Sequence, residues 1–99
     1  MPSGKTVRPQ KWSKVIDLYD DGKYSAIWGI YEYSKRRRLG LRWNGDKYSQ
    51  GFPSMGNNPI WFVEPDDLAK MVLLEFCSRV IKKPKHGNLK NILTALKEC

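Results

Sequence analysis

Apolar residues first gather at Val15, Ile16, Leu18 and Tyr19, and Asp20-Asp21-Gly22 then breaks the run. Gly accepts positive φ and Asp tolerates it, so this triplet predicts a hairpin turn. The next run, Tyr24 to Tyr33, is rich in aromatic and β-branched residues and stops at the polar cluster Ser34 to Arg37. Leu39, Leu41 and Trp43 then alternate with Arg38, Gly40 and Arg42, the period-two pattern of a strand with one wet face, and Asn44-Gly45 closes it. Three strands joined by short turns predict an antiparallel meander. On this reading the apolar members of the third strand face a helix and its guanidinium groups look out to solvent.

The second half changes period. Gln50 to Asn58 carries Gly51, Pro53 and Gly56, which predicts a loop folded back over one sheet face, and Ile60 to Val63 reads as a short fourth strand. Pro65, Asp66 and Asp67 suit a helix start, because the acids complement the positive end of the helix dipole. Leu68, Met71, Val72, Phe76 and Val80, with Leu73, Leu74, Cys77 and Ile81 on the flanks, make a helix from Asp66 to Ile81 apolar over more than half its circumference. Such a helix needs two partners, and the sheet supplies one. After the basic linker Lys82 to Gly87, Asn88 can cap a last helix reaching Lys97, with Leu89, Ile92, Leu93 and Leu96 at i, i+3, i+4 and i+7. That helix either covers its predecessor or swaps onto a second subunit. The predicted class is α+β: an antiparallel sheet of three to four strands, one long helix on one face and a short C-terminal helix.

Composition narrows the function. The chain has 99 residues, 40% hydrophobic and 12% aromatic, which fits one ordered domain over residues 14–99 behind a flexible basic arm, residues 1–13. A domain this small buries only about 60–65% of its unfolded surface, so self-association, most simply as a homodimer, is expected to help it. The longest apolar stretch, Met71 to Leu74, is far short of the roughly 20 residues that span a bilayer, and no signal-like run opens the chain; a soluble, cytoplasmic protein without membrane contact is expected. Cys77 reads as a buried free thiol and Cys99 as an exposed one.

Several chemistries are unprovided for. One His and two Cys at unrelated positions do not make a zinc site, so no metal is expected. His86 stands among Lys82, Lys83 and Lys85, where no rigid neighbour orients a catalytic imidazole. Asp20-Asp21 and Asp66-Asp67 have sufficient roles in a turn and a helix start, and Glu32 reads as a strand-end acid paired with Lys or Arg. Neither dinucleotide nor P-loop glycine spacing occurs, so no cofactor and no enzymatic activity are expected.

Two surfaces carry binding chemistry instead. The net charge is +8, and Lys35, Arg36, Arg37, Arg38 and Arg42 form a candidate polyanion site beside the aromatics of the second strand, as in single-strand nucleic-acid binders. The second is a candidate groove or interface from Trp28, Trp43, Tyr48, Phe52, Trp61 and Phe62, with Pro53, Met55 and Pro59 among them, extended by Leu89, Ile92 and Leu96 on the last helix; so many rings do not all fit beneath so small a sheet. The leading expectation is a non-enzymatic, self-associating interaction domain that engages another macromolecule or a small ligand. A nucleic-acid-binding accessory protein is the alternative.

Tyr19-Asp20-Asp21-Gly22-Lys23-Tyr24, Leu39 to Gly45, Gly51-Phe52-Pro53 and Trp61-Phe62-Val63-Glu64-Pro65 give the chain a further quality. Over Val15 to Val80 it resembles small bacterial proteins of the kind carried in integron gene cassettes and other mobile elements. The resemblance rests on turn and packing residues and carries no functional residues over. It implies an oligomerising α+β domain with accessory rather than housekeeping work.

Overall fold

The computed structural model describes residues 12–46, 48–55 and 58–99. Their order is β1 (Trp12–Asp20), β2 (Tyr24–Tyr31), β3 (Arg38–Trp43), β4 (Ser54–Met55), β5 (Asn58–Pro59), β6 (Phe62–Val63), α1 (Asp66–Lys82), a single 3-10 turn (Pro84–His86) and α2 (Leu89–Glu98). The fold is α+β: an open antiparallel sheet in the order β1-β2-β3-β6, with both helices and a separate two-stranded β4-β5 ladder. Of the expected basic arm, residues 1–11 lie outside the described residues. Trp12 and Ser13 belong to the sheet instead of the arm, because the Trp12 ring is buried over Gly40, where a methyl group would stand 2.9 Å from its edge.

The β1-β2 turn forms as its residues dictate. The Asp20 carboxylate accepts the amide of Gly22, which sits at φ 92, and Asp21 accepts those of Lys23 and Tyr24 at 2.9 and 2.8 Å. β2 ends at Tyr31, two residues early, since Glu32 turns the chain at φ 51 and lies exposed in the turn.

Directly opposed residues of antiparallel strands share a face, so the register sorts the side chains into rows. On one face Trp28 stands opposite Leu39, Ala26 opposite Leu41, and Leu41 opposite Phe62. Tyr24, Trp43 and Phe52 make the last row at the sheet's end. Helix α1 lays Ala69, Leu73, Phe76 and Val80 on this face, and α2 adds Ile92 and Ala95. Fully burying a side chain such as Leu73 or Phe76 contributes about 1.5–3 kcal/mol. Leu68, Met71, Leu74 and Ile81, expected among the apolar positions of a doubly covered helix, are instead exposed. The small side of Ala69 meets the sheet, and one sheet face plus one short helix cannot cover the whole circumference of α1.

Helix α2 packs on its own chain. Asn88 caps it by accepting the Asn91 amide at 3.0 Å, and the Asn91 side chain donates to the Asp17 carbonyl at 2.8 Å. At its far end Glu98 accepts the indole N–H of buried Trp28 at 2.7 Å and a guanidinium N–H of Arg37 at 3.2 Å. Both thiols are free, Cys77 half-buried at the edge of the core and Cys99 exposed.

The other sheet face holds a second, smaller core of Trp12, Ile27 and Trp61, flanked by Val15, Tyr31 and Val63. Successive strand residues point to opposite faces, so Trp61 enters this core while Phe62 stays on the helix side.

Candidate interaction face

The sheet's last row is left open by α1. Trp43, Phe52 and Phe62 are 56%, 66% and 52% exposed, and Leu68 and Met71 on the adjoining flank of α1 are 46% and 69% exposed. At about 200 Å² for a fully bared large side chain, these five present roughly 600 Å² of apolar surface, the upper end of what a monomer ordinarily shows. Trp43 and Phe52 are bonded to one another through their backbones at 2.7 and 3.1 Å, which fixes the two rings side by side. The Tyr24 ring meets Trp43 edge-on at 4.7 Å between centres. The row is therefore a rigid aromatic platform rather than a set of loose side chains.

Between the platform and α1 runs a groove floored by Tyr24, Leu41, Val72 and Phe76, with Trp43 and Met71 as its walls. Its rim carries Asp21, Lys23, Glu75 and Arg79, two charges of each sign. Arg79 is paired with Glu75 at 2.9 Å, and that bond raises its pKa; its guanidinium also lies over the Tyr19 and Phe76 rings, 5.8 and 6.0 Å from their centres. Burial raises the pKa of Tyr24, reinforced by the negative charge of Glu64, so its phenol stays neutral at physiological pH. Opposing burial, the Tyr24 and Lys23 amides hold the Asp21 carboxyl below its ordinary value. The site offers stacking area, a neutral phenol and balanced rim charges.

The expected groove residues divide. Trp43 and Phe52 belong to the platform, and Tyr48 is 86% exposed in the Asp46–Ser49 turn. Trp28 and Trp61 do not belong: each is buried, in the first and second core respectively, and neither reaches a surface. Ile92 is likewise a core residue without exposure, because the face of α2 that carries it lies on the sheet. Leu96 is half-buried against the same core, and Leu89 stays partly exposed. Phe62, expected in the same aromatic cluster, joins the platform, and Leu68 and Met71 of α1 complete the face; sequence periodicity assigns those two to a covered helix side, and only the packed position of α1 shows them bare.

The expected polyanion site is altered more. Arg42 is 1% exposed and is corrected from a solvent-facing cation to a buried one. It sits on the face away from the helices, as the alternation requires, but the returning loop covers it. Its guanidinium donates to the carbonyls of Ile60 at 2.7 Å, Gln50 at 2.5 Å and Pro53 at 3.4 Å, and lies 6.0 Å from the Trp61 ring centre. Burial lowers its pKa. Of the turn cations, Arg36 bonds Asp66 at 2.6 Å, Arg38 lies 3.6 Å from the same carboxylate, and Arg37 bonds Glu98. Lys35 is exposed. The cluster closes the turn onto the start of α1 and the end of α2.

Among the described residues, no group of three or more His, Cys, Asp and Glu could hold a metal ion, and no helix is long and apolar enough to cross a membrane. No protein-family model, no curated protein and no solved structure matches the chain.

Proposed function

We propose that the protein is a non-enzymatic interaction domain that self-associates by burying the Tyr24–Trp43–Phe52 platform against a second copy. The observation that carries this is the roughly 600 Å² of pre-arranged apolar surface at one end of the sheet, approaching the about 800 Å² per partner of a stable interface. The sheet edges offer no alternative route. Edge strand β1 is broken by two register shifts and by Lys14 at φ 51, and its carbonyls at Leu18 and Asp17 are taken by Asn88 and Asn91. The opposite edge, β6, is two residues long. Balanced rim charges matter for a chain of net charge +8, because the two acids and two bases of the rim cancel and two copies meeting here do not set net positive charge against net positive charge. The ion pairs and burial of Arg36, Arg37, Arg38 and Arg42 weigh against the nucleic-acid reading.

Light scattering during size exclusion over a concentration series tests the proposal. The wild type is expected to reach dimer mass and the W43S/F52S double variant to remain monomeric. A wild type that stays monomeric at about 0.5 mM overturns it, since that concentration corresponds to association weaker than about 4–5 kcal/mol.

A further inference from the structure

A second apolar surface lies on the helices, away from the platform. One flank of α1, carrying Val72, Glu75 and Arg79, borders the aromatic groove, so the Cys77 flank is the one turned to α2. Beyond it stand Leu74 and Ile81, 51% and 64% exposed; on α2 stand Leu89 and Leu93, 36% and 49% exposed. Spacings of four and seven place Leu89 and Leu93 on one stripe of α2, and Leu74 and Ile81 on one stripe of α1. Two such stripes on packed helices border a groove of the width a third helix fills.

The charge around this groove differs from that around the platform. Helix α2 carries two lysines, Lys90 and Lys97, and one acid, Glu98, whose carboxylate is bonded to Trp28 and Arg37. Lys90 and Lys97 lie three and four residues from Leu93, on its own exposed side, and Lys70 stands one turn before Leu74; the exposed Asp67, seven residues before Leu74, is the one acid on that stripe, so the surround stays net positive. A second copy would bring the same net positive charge against these lysines, which favours an acidic partner over a second copy. We propose that the α1–α2 groove docks an acidic amphipathic helix of another protein, its apolar stripe on Leu74, Ile81, Leu89 and Leu93 and its carboxylates on Lys90 and Lys97.

The probe is a labelled amphipathic peptide of about 17 residues, the length of α1, with Leu on one face and Glu on the other, titrated into the full-length protein by fluorescence anisotropy. Its controls are a scrambled peptide of the same composition and vesicles of anionic phospholipid. Saturable binding of the patterned peptide is expected, weakening at least about tenfold between about 0.05 and 0.5 M salt. I81S/L93S and, independently, K90E/K97E are each expected to weaken it at least about tenfold; the lysine variants alter only exposed residues and so report even if the first pair misfolds. W43S/F52S is expected to bind the peptide unchanged, which separates this groove from the platform. Equal binding of the scrambled peptide, retention on vesicles in place of the peptide, or indifference to K90E/K97E overturns the proposal.

Discussion

Replacing Arg42 with Met keeps the volume beneath the returning loop and removes its clamp. The guanidinium's bond to Ile60 has ordinary length and that to Gln50 is shorter than usual, while the one to Pro53 at 3.4 Å adds little. Hydrogen bonds to a charged group contribute about 1.5–3 kcal/mol each, giving about 3–6 kcal/mol for the pair. Holding a guanidinium in the interior without a carboxylate offsets part of this, and its Nε has no hydrogen-bond partner. The expected net loss is about 2–4 kcal/mol, a large share of the about 5–15 kcal/mol that holds a domain folded. Urea unfolding followed by tryptophan emission measures it. Amide exchange at Trp43 and Phe52 supplies the local readout, because their mutual backbone bonds hold the loop to β3. R42K is expected to fall between wild type and R42M, keeping charge but not the fork. An R42M protein within about 0.5 kcal/mol of wild type, with the Phe52 amide still protected, would refute the clamp.

Three further outcomes follow from the contacts. E98A is expected to cost about 1–2 kcal/mol by leaving the Trp28 indole N–H without its acceptor, and E98Q less, as chemical denaturation of the two variants would show. G51A is expected to cost more than about 1 kcal/mol and to raise amide exchange at Phe52, since Gly51 sits at φ 83 and a methyl group there would overlap the Trp43 carbonyl. Acid should destabilise the fold through Asp66, whose carboxyl the Arg36 bond holds below its ordinary value. A depressed folded pKa contributes stability that is complete above the unfolded value and is lost as pH falls through the folded one, so thermal midpoints should drop from about pH 5 downward and D66N should flatten that slope.

Most of the architecture was legible because its signals are local. Asp20-Asp21-Gly22 announced the first turn, the alternation from Arg38 to Trp43 announced β3, and Asn88 announced the start of α2. The faces were harder, because burial depends on what returns to cover a strand. Arg42 obeys the alternation yet is enclosed, since Gln50, Pro53 and Ile60 close over it with backbone carbonyls that no sequence pattern advertises. Trp61 and Phe62 look alike in sequence, and a single step of strand parity sends one into the second core and leaves the other on the platform. Trp12 looked like part of an arm because its partner, Gly40, lies 28 positions away and contributes only an absence of side chain. The role of Glu98 was equally hidden: it pairs with Trp28 across 70 positions.

The platform's part in self-association is tested most directly by isotope-filtered NMR on a mixture of labelled and unlabelled protein, which detects only contacts between copies. Contacts from the Trp43 and Phe52 rings of one copy to the platform of the other are the expected result. Intermolecular contacts confined to Leu89 and Leu93, or to the 35–38 turn with the rings silent, would contradict it.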